Sequence, residues 1–242
     1  TGGSAIVAKT LGEGKKDKAN EYFSMLVYVT IIGGITFSAI GSIFVPQIAK
    51  ALGASGELLD LCVLYSRITF ISMPAFMLQN VFQSFFVAAQ KPKMGLVVII
   101  IAGMTNMVLD FLFIAVLRWG LAGVATATVC GELLGGIIPL IYFSRKNSSL
   151  LRRGKTRFNG RILLYTCSNG LSELMTNLSS SIVNSLYNIQ LMKIAGENGV
   201  AAYGSIMYVN FIFAAIFFGY SIGSAPIISY HYGAGNHDEL KN

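Results

Sequence analysis

Six long apolar stretches constrain this sequence more than any other feature. They run over approximately 22–49, 60–89, 95–117, 120–143, 162–194 and 200–230 of its 242 residues. Each exceeds the roughly 20 residues that a helix needs to cross a hydrocarbon core. No ten-residue alternation of apolar and polar side chains repeats, so the strand pattern of a membrane barrel is absent. Charged residues make up only 12% of the chain, against about 25% in an ordinary soluble domain, and that is too little polar surface to cover a soluble globule. A cytosolic enzyme, a disordered regulator and a disulfide-rich secreted module are all excluded. Cys62, Cys130 and Cys167 lie singly inside apolar runs and read as small buried hydrophobes. The expected fold class is an all-α polytopic membrane protein. Pro74 and Pro139 fall inside spans, where proline kinks a helix that its neighbours re-satisfy. Small-xxx-small steps at Gly131–Gly135 and Gly219–Gly223 permit close helix contact.

The basic residues orient the spans. Lys9, Lys15, Lys16 and Lys18 precede the first span, and Lys91 and Lys93 follow the second. Arg145, Lys146, Arg152, Arg153, Lys155, Arg157 and Arg161 follow the fourth, and Lys241 lies in the tail. These alternate connections fall on one side of the membrane and hold 14 of the 18 Lys and Arg residues. The other side holds Lys50, Arg118 and Lys193, and Arg67 lies within a span. Such asymmetry places the basic side in the cytoplasm. It accounts for the net charge of +7 without a nucleic-acid partner. The 145–161 stretch is expected to meet anionic lipid headgroups.

An internal repeat is visible at an offset of 221 residues: Gly2/Gly223, Ile6/Ile227, Gly12/Gly233, Gly14/Gly235 and Asp17/Asp238 are identical. An even number of spans separates the copies, so both face the same side and the repeat is parallel, about an axis along the membrane normal. One period is in hand, and the expected whole is about twice as long, with about twelve spans in two six-helix lobes. On this reading 1–21 is the cytoplasmic end of a preceding span with its loop. Residues 22–144 complete an amino-terminal lobe with four spans, 145–161 form a basic cytoplasmic linker, and 162–242 begin a carboxy-terminal lobe with two spans and a loop. Gly12-Glu13-Gly14-Lys15-Lys16 fails as a phosphate loop, because Lys9 stands where the first Gly belongs and Lys16 where Ser or Thr belongs. The sequon Asn147-Ser148-Ser149 falls on the cytoplasmic side.

Ionisable groups within spans are costly and are functional candidates by default. Arg67, Asp110, Glu132 and Glu173 are the four. A short turn at Arg118-Trp119-Gly120 joins the third and fourth spans, which are therefore adjacent and antiparallel. Asp110 lies nine residues before Trp119 and Thr128 nine after it. At 1.5 Å per residue both sit about 13 Å below the turn. Asn106 shares a helix face with Asp110, and Glu132 shares one with Thr128. Asn106, Asp110, Thr128 and Glu132 thus converge on one pocket, whose oxygens suit a proton or a hard monovalent cation. The competing reading makes Asp110 interhelical packing glue, and for Glu132, nearer the inner surface, the two readings are even. Glu173 lies among Ser168, Asn169, Ser172, Thr176, Asn177, Ser179 and Ser180. Such a polar helix face lines either a watery cavity or an interface of small residues. Arg67 is a counter-ion or a snorkelling side chain.

Asn106-Met-Val-Leu-Asp110, Gly120-Leu-Ala-Gly123-Val-Ala-Thr-Ala-Thr128 and the Gly-Ser-Ala…Gly-x-Gly segments resemble the MATE family, the multidrug and toxic compound extrusion transporters. Gly170-Leu-Ser-Glu173, Pro226-Ile-Ile-Ser229 and Tyr232-Gly233-Ala234-Gly235 look like its bacterial, DinF-like branch. The resemblance spans the chain, corresponding to the end of the second helix through the eighth of twelve. It implies a multi-pass protein of the bacterial inner membrane that exports small organic cations in exchange for H⁺ or Na⁺. It further implies a cation site at Asn106, Asp110 and Thr128, Na⁺ being the only metal in prospect, with no other cofactor and no catalytic residue. The family also uses an Asp in a first helix that this sequence does not include. A lipid-linked oligosaccharide flippase of related fold is the alternative, but it calls for a more cationic cavity. An intramembrane aspartyl protease needs two aspartates sharing a proton, and Asp110 is the one aspartate deep in a span.

Overall fold

The computed structural model describes residues 2–51 and 55–236. The repeat partner Asp238 and the tail residue Lys241 lie outside the described residues. The chain is all-α: α1 (Gly2–Gly12), α2 (Lys16–Ala51), α3 (Gly56–Ile71), α4 (Met73–Ala88), α5 (Pro92–Asp110), a π-helical segment (Phe111–Val116), α6 (Gly120–Ser144) and α7 (Gly160–Ala234). It divides into two compact units, Gly14–Phe158 and a second made by α1 with α7.

In the first unit, α3 and α4 form a bent pair of apolar helices, at 53° to each other. Pro74 is the cause. It stands at the start of α4, lacks an N–H and cannot accommodate the carbonyl four residues earlier in a continuous helix. That carbonyl belongs to Phe70, and the Ser38 hydroxyl of α2 donates to it at 2.6 Å. The freed acceptor is thus satisfied from a neighbouring helix, as the bilayer demands. Glycines let the flanking helices close on the break. A Cβ at Gly34 would come within 2.5 Å of Pro74 Cα, and one at Gly136 within 2.6 Å of the Ala75 carbonyl oxygen.

One end of this unit is an aromatic core. Phe23, Phe82, Phe85, Phe86 and Phe143 are each at most 1% exposed. Phe23 meets Phe85 edge-on at 4.8 Å, and Phe82 stacks on Phe143 at 5.6 Å. The basic linker lies over this core as a fixed strap. Backbone N–H groups of Arg152 and Gly154 donate to Asn20 Oδ1 at 2.7 Å and Ser24 Oγ at 2.9 Å. Thr156 Oγ1 donates to the Glu21 carbonyl at 2.8 Å, and Leu151 is fully buried.

In the second unit, α7 is a hairpin, since Gly196 takes φ 61 and ψ −156 between its halves. Tyr203 Oη donates to Asn184 Oδ1 at 2.9 Å, and Tyr187 stacks on Tyr203 at 5.7 Å. Helix α1 lies across this hairpin, and the contact shows the repeat in space. A Cβ at Gly12 would collide with the Tyr230 carbonyl, and one at Gly233 with the Lys9 carbonyl. Lys9 and Tyr230 are themselves partners at the repeat offset, so each copy meets the other through the same positions, as elements related by a local two-fold must. Gly14 and Gly235, also repeat partners, both adopt left-handed backbone at φ 77 and φ 73, where a side chain would be strained.

Among the described residues, four helices are long and apolar enough to cross a membrane, and a fifth if the bent pair counts as one span. The expectation was six. Residues 160–195 fall short because their Ser, Thr and Asn side chains lower the hydropathy of an otherwise long helix. The helices also begin earlier than the apolar runs, at Lys16 and Gly56 against 22 and 60, because a polar first turn extends the helix beyond the apolar stretch.

Candidate functional site

Asn106, Thr128 and Glu132 line one cavity of about 220 Å³, together with Gln79, Ile99, Ala102, Gly103 and Gly131. Helix α5 supplies Asn106, α6 supplies Thr128 and Glu132, and α4 supplies Gln79. Gly131 allows the approach, since a Cβ there would sit 3.0 Å from the Ala102 carbonyl oxygen and 3.1 Å from Asn106 Cβ. Gly135 does the same against Gln79, whose side chain is 2.5 Å from the position of a Cβ. The stripe of small residues on α6 thus brings two polar side chains of other helices against Glu132. Thr128 Oγ1 donates to the Val124 carbonyl at 3.0 Å, which leaves its lone pairs free to accept. Glu132 Oε2 accepts from Ser72 Oγ at 2.5 Å, a short charge-assisted geometry for O–H to a carboxylate.

Asp110 stands one turn beyond Asn106, at the junction of α5 with the π segment, and is not among the cavity-lining residues. Its Oδ1 is buried without a hydrogen-bond partner. Such an atom is rare in a folded protein and calls for an explanation. The widened turn that follows it is closed by Leu117 N–H donating to the Leu112 carbonyl at 2.9 Å. Single π turns occur frequently at functional sites.

Glu173 lies on an exposed face of α7. Nearby hydroxyls are absorbed by their own helix: Thr176 donates to the Ser172 carbonyl, Ser181 to that of Asn177 and Ser185 to that of Ser181. Arg67 is exposed on α3. Two features escaped the sequence reading. The partner of Glu132, Ser72, is 60 residues away, and no local spacing announces it. Gln79 sits in an apolar run, and its amide one turn after Ala75 was the only available signal.

The MatE family model matches residues 1–112 and 174–242. The chain belongs to the MatE family. It is similar to the Multidrug export protein MepA of Staphylococcus haemolyticus, with 28% identity over 233 residues, covering 96% of this chain and 51% of MepA. MepA of Staphylococcus saprophyticus is 24% identical over the same span, with the same coverage. The chain therefore spans about half the length of the curated relatives it matches. Among solved structures it resembles a MOP superfamily transporter from Pyrococcus furiosus, with a TM-score of 0.91 and 21% identity, covering 99% of this chain and 54% of that one. It also resembles an outward-facing multidrug resistance MATE family transporter, with a TM-score of 0.90 and 21% identity at the same coverage. These structures establish the fold, that of an all-α multi-pass membrane protein. The Pyrococcus protein is described as having a binding pocket of reverse polarity that suggests a different function.

Proposed function

We propose that the full-length protein is a secondary antiporter that exports organic cations in exchange for H⁺ or Na⁺ by alternating access. It would sit in a bacterial plasma membrane with its basic loops in the cytoplasm. The observation that carries this reading is the buried, unpartnered carboxylate oxygen of Asp110. An acidic group at the centre of a membrane helix costs about 2.5–3.5 kcal/mol, whereas a membrane interhelical hydrogen bond returns on average only about 0.6 kcal/mol. Packing glue cannot offset that cost, least of all with one oxygen unpaired. A proton or a monovalent cation neutralises the charge and supplies the missing partner.

Asn106 lies one helical turn from Asp110 and carries its polar face to the cavity that also holds Thr128, Gln79 and Glu132. Two carboxylates and three neutral oxygen donors thus occupy neighbouring turns of α4, α5 and α6. This donor set is acidic, which favours cationic cargo and a cationic coupling partner over an anionic lipid-linked sugar. Coupling requires that the ion and the cargo prefer different states of the protein. Two relatives are multidrug export proteins, which supports drug-sized cargo.

The test is transport by the full-length protein in proteoliposomes, with a fluorescent organic cation such as ethidium and an imposed pH or Na⁺ gradient. Uphill movement is expected with one of the two gradients. Movement indifferent to both, or dependent on ATP, overturns the reading.

A further inference from the structure

We infer that a cavity beside the basic strap of the first unit is a binding site for the phosphodiester headgroup of an anionic phospholipid. It has a volume of about 370 Å³ and is lined by Tyr28, Ser144, Arg153, Gly154 and Lys155. None of these residues belongs to the cavity that holds Asn106, Thr128 and Glu132. Tyr28 stands on α2 and Ser144 is the last residue of α6, and both helices are long and apolar enough to cross a membrane. The cavity therefore lies where two apolar helices give way to a basic segment. That is the level at which headgroups and interfacial tyrosines sit.

The walls are fixed before any ligand arrives. Arg152, Gly154 and Thr156 tie the strap to α2. Between them the Arg153 N–H donates to the Phe143 carbonyl of α6 at 2.8 Å, so Arg153 is held from both helices. Its side chain is held as well. Nη1 donates to Ser144 Oγ at 3.2 Å and Nη2 to Tyr28 Oη at 2.9 Å, and the guanidinium lies over the Tyr28 ring, 4.6 Å from its centre. A guanidinium has five N–H donors, so three remain to give.

The lining is rich in donors and poor in acceptors. Lys155 adds an ammonium, and the Tyr28 hydroxyl, which accepts from Arg153, keeps its own proton to donate. The lining side chains have two oxygens, those of Tyr28 and Ser144, and both already accept from Arg153. Among the described residues no carboxylate lines the cavity or is paired with Arg153 or Lys155. Such a set suits an oxyanion, and a guanidinium fork held in advance meets two phosphate oxygens at low entropic cost. A Cβ at Gly154 would meet nothing within 4 Å, so the wall is open there to an entering group. Net charge alone would draw the whole strap to an anionic leaflet, and it would not tell Arg153 from Arg152. Arg152 pins the strap through its backbone, but its side chain does not line the cavity. A lipid is favoured over free phosphate because its acyl chains hold the headgroup at this level, which raises its effective concentration there.

The experiment titrates the full-length protein in mild detergent with phosphatidylglycerol, at a salt concentration where screening confines bare attraction to about 8 Å. The rise in melting temperature over each variant's own lipid-free baseline gives its half-saturating lipid concentration. Lys155→Gln should raise that concentration about fivefold, the effect of one basic residue near an anionic surface. Arg153→Lys keeps the charge but loses the fork, and should raise it by about as much. Gly154→Val changes no charge and should weaken binding at least about fivefold by occupying the open wall. Arg152→Gln should change it by less than about twofold. Phosphatidylcholine and inorganic phosphate at the same concentration should give no comparable rise. Equal losses in Arg152→Gln and Lys155→Gln would reduce the effect to diffuse charge and overturn the inference. Inorganic phosphate that stabilises as well as phosphatidylglycerol would overturn the assignment to a lipid, and a parent indifferent to phosphatidylglycerol would overturn the site altogether. Arg152 and Lys155 are both exposed, so that comparison decides even where Arg153→Lys or Gly154→Val fails to fold.

Discussion

At the scale of single residues, the polar groups of the α4–α6 cavity divide by what each can contribute. Glu132 has a charge to lose, whereas Asn106 and Thr128 have only neutral oxygens. Glu132→Gln should therefore slow gradient-driven export by about tenfold or more. Asn106→Ala and Thr128→Ala should cost two- to fivefold, since each removes one neutral ligand, worth about 0.5–1 kcal/mol; initial rates in proteoliposomes distinguish the two classes. Glu173 belongs to another helix and an exposed face. Glu173→Gln should change thermal stability by less than about 0.5 kcal/mol while altering the ranking of substrates in an efflux panel; an unaltered ranking would remove it from the cavity surface. The four-residue spacings that pair Asn106 with Asp110 and Thr128 with Glu132 were legible because a helix has a fixed period. What spacing could not tell is which of these side chains share a cavity. The π segment after Asp110 changes the helical register locally, and apolar residues such as Phe111–Val116 carry no mark of it.

At the scale of elements, the break between α3 and α4 is where sequence and structure connect most clearly. Pro74 announced a kink, and the glycines of α6 announced close packing. The bend itself depends on hydroxyl donors to the carbonyls at the break: Ser72 for Thr69 in the same turn, and Ser38 of α2 for Phe70, which only the folded molecule brings together. Ser38→Ala should leave the Phe70 carbonyl without its donor in an apolar setting and lower stability by about 1–2 kcal/mol. Gly136→Val should cost about 1–3 kcal/mol through overpacking on Ala75, and both effects can be read as loss of melting temperature in detergent. The stretch at 162–194, expected as an apolar span, is a helix but falls short of a span in hydropathy. Its hydroxyls return to their own backbone, which lets a polar sequence stay helical in a low-polarity setting.

At the scale of the whole molecule, the repeat and the charge asymmetry carry the account. The repeat, weak as a string of five identities, becomes a reciprocal crossing of Gly12 on Tyr230 and Gly233 on Lys9. The linker is a strap with a defined register along α2, so its basic side chains are displayed from a fixed backbone. A cysteine placed at Ser148 or Lys155 of the full-length protein should react with an impermeant reagent only after the cell is opened; labelling of intact cells would invert the orientation. The central claim is that Asp110 is the group through which an ion gradient drives export. The most direct measurement is uphill export of a fluorescent organic cation by full-length Asp110→Asn in proteoliposomes, beside equilibrium binding of the same cation. The substitution keeps size and hydrogen-bonding capacity and removes the charge. The account predicts retained binding with export against the gradient reduced by at least about 100-fold, equivalent to roughly 2.7 kcal/mol of lost coupling. Uphill export at the parental rate would contradict it.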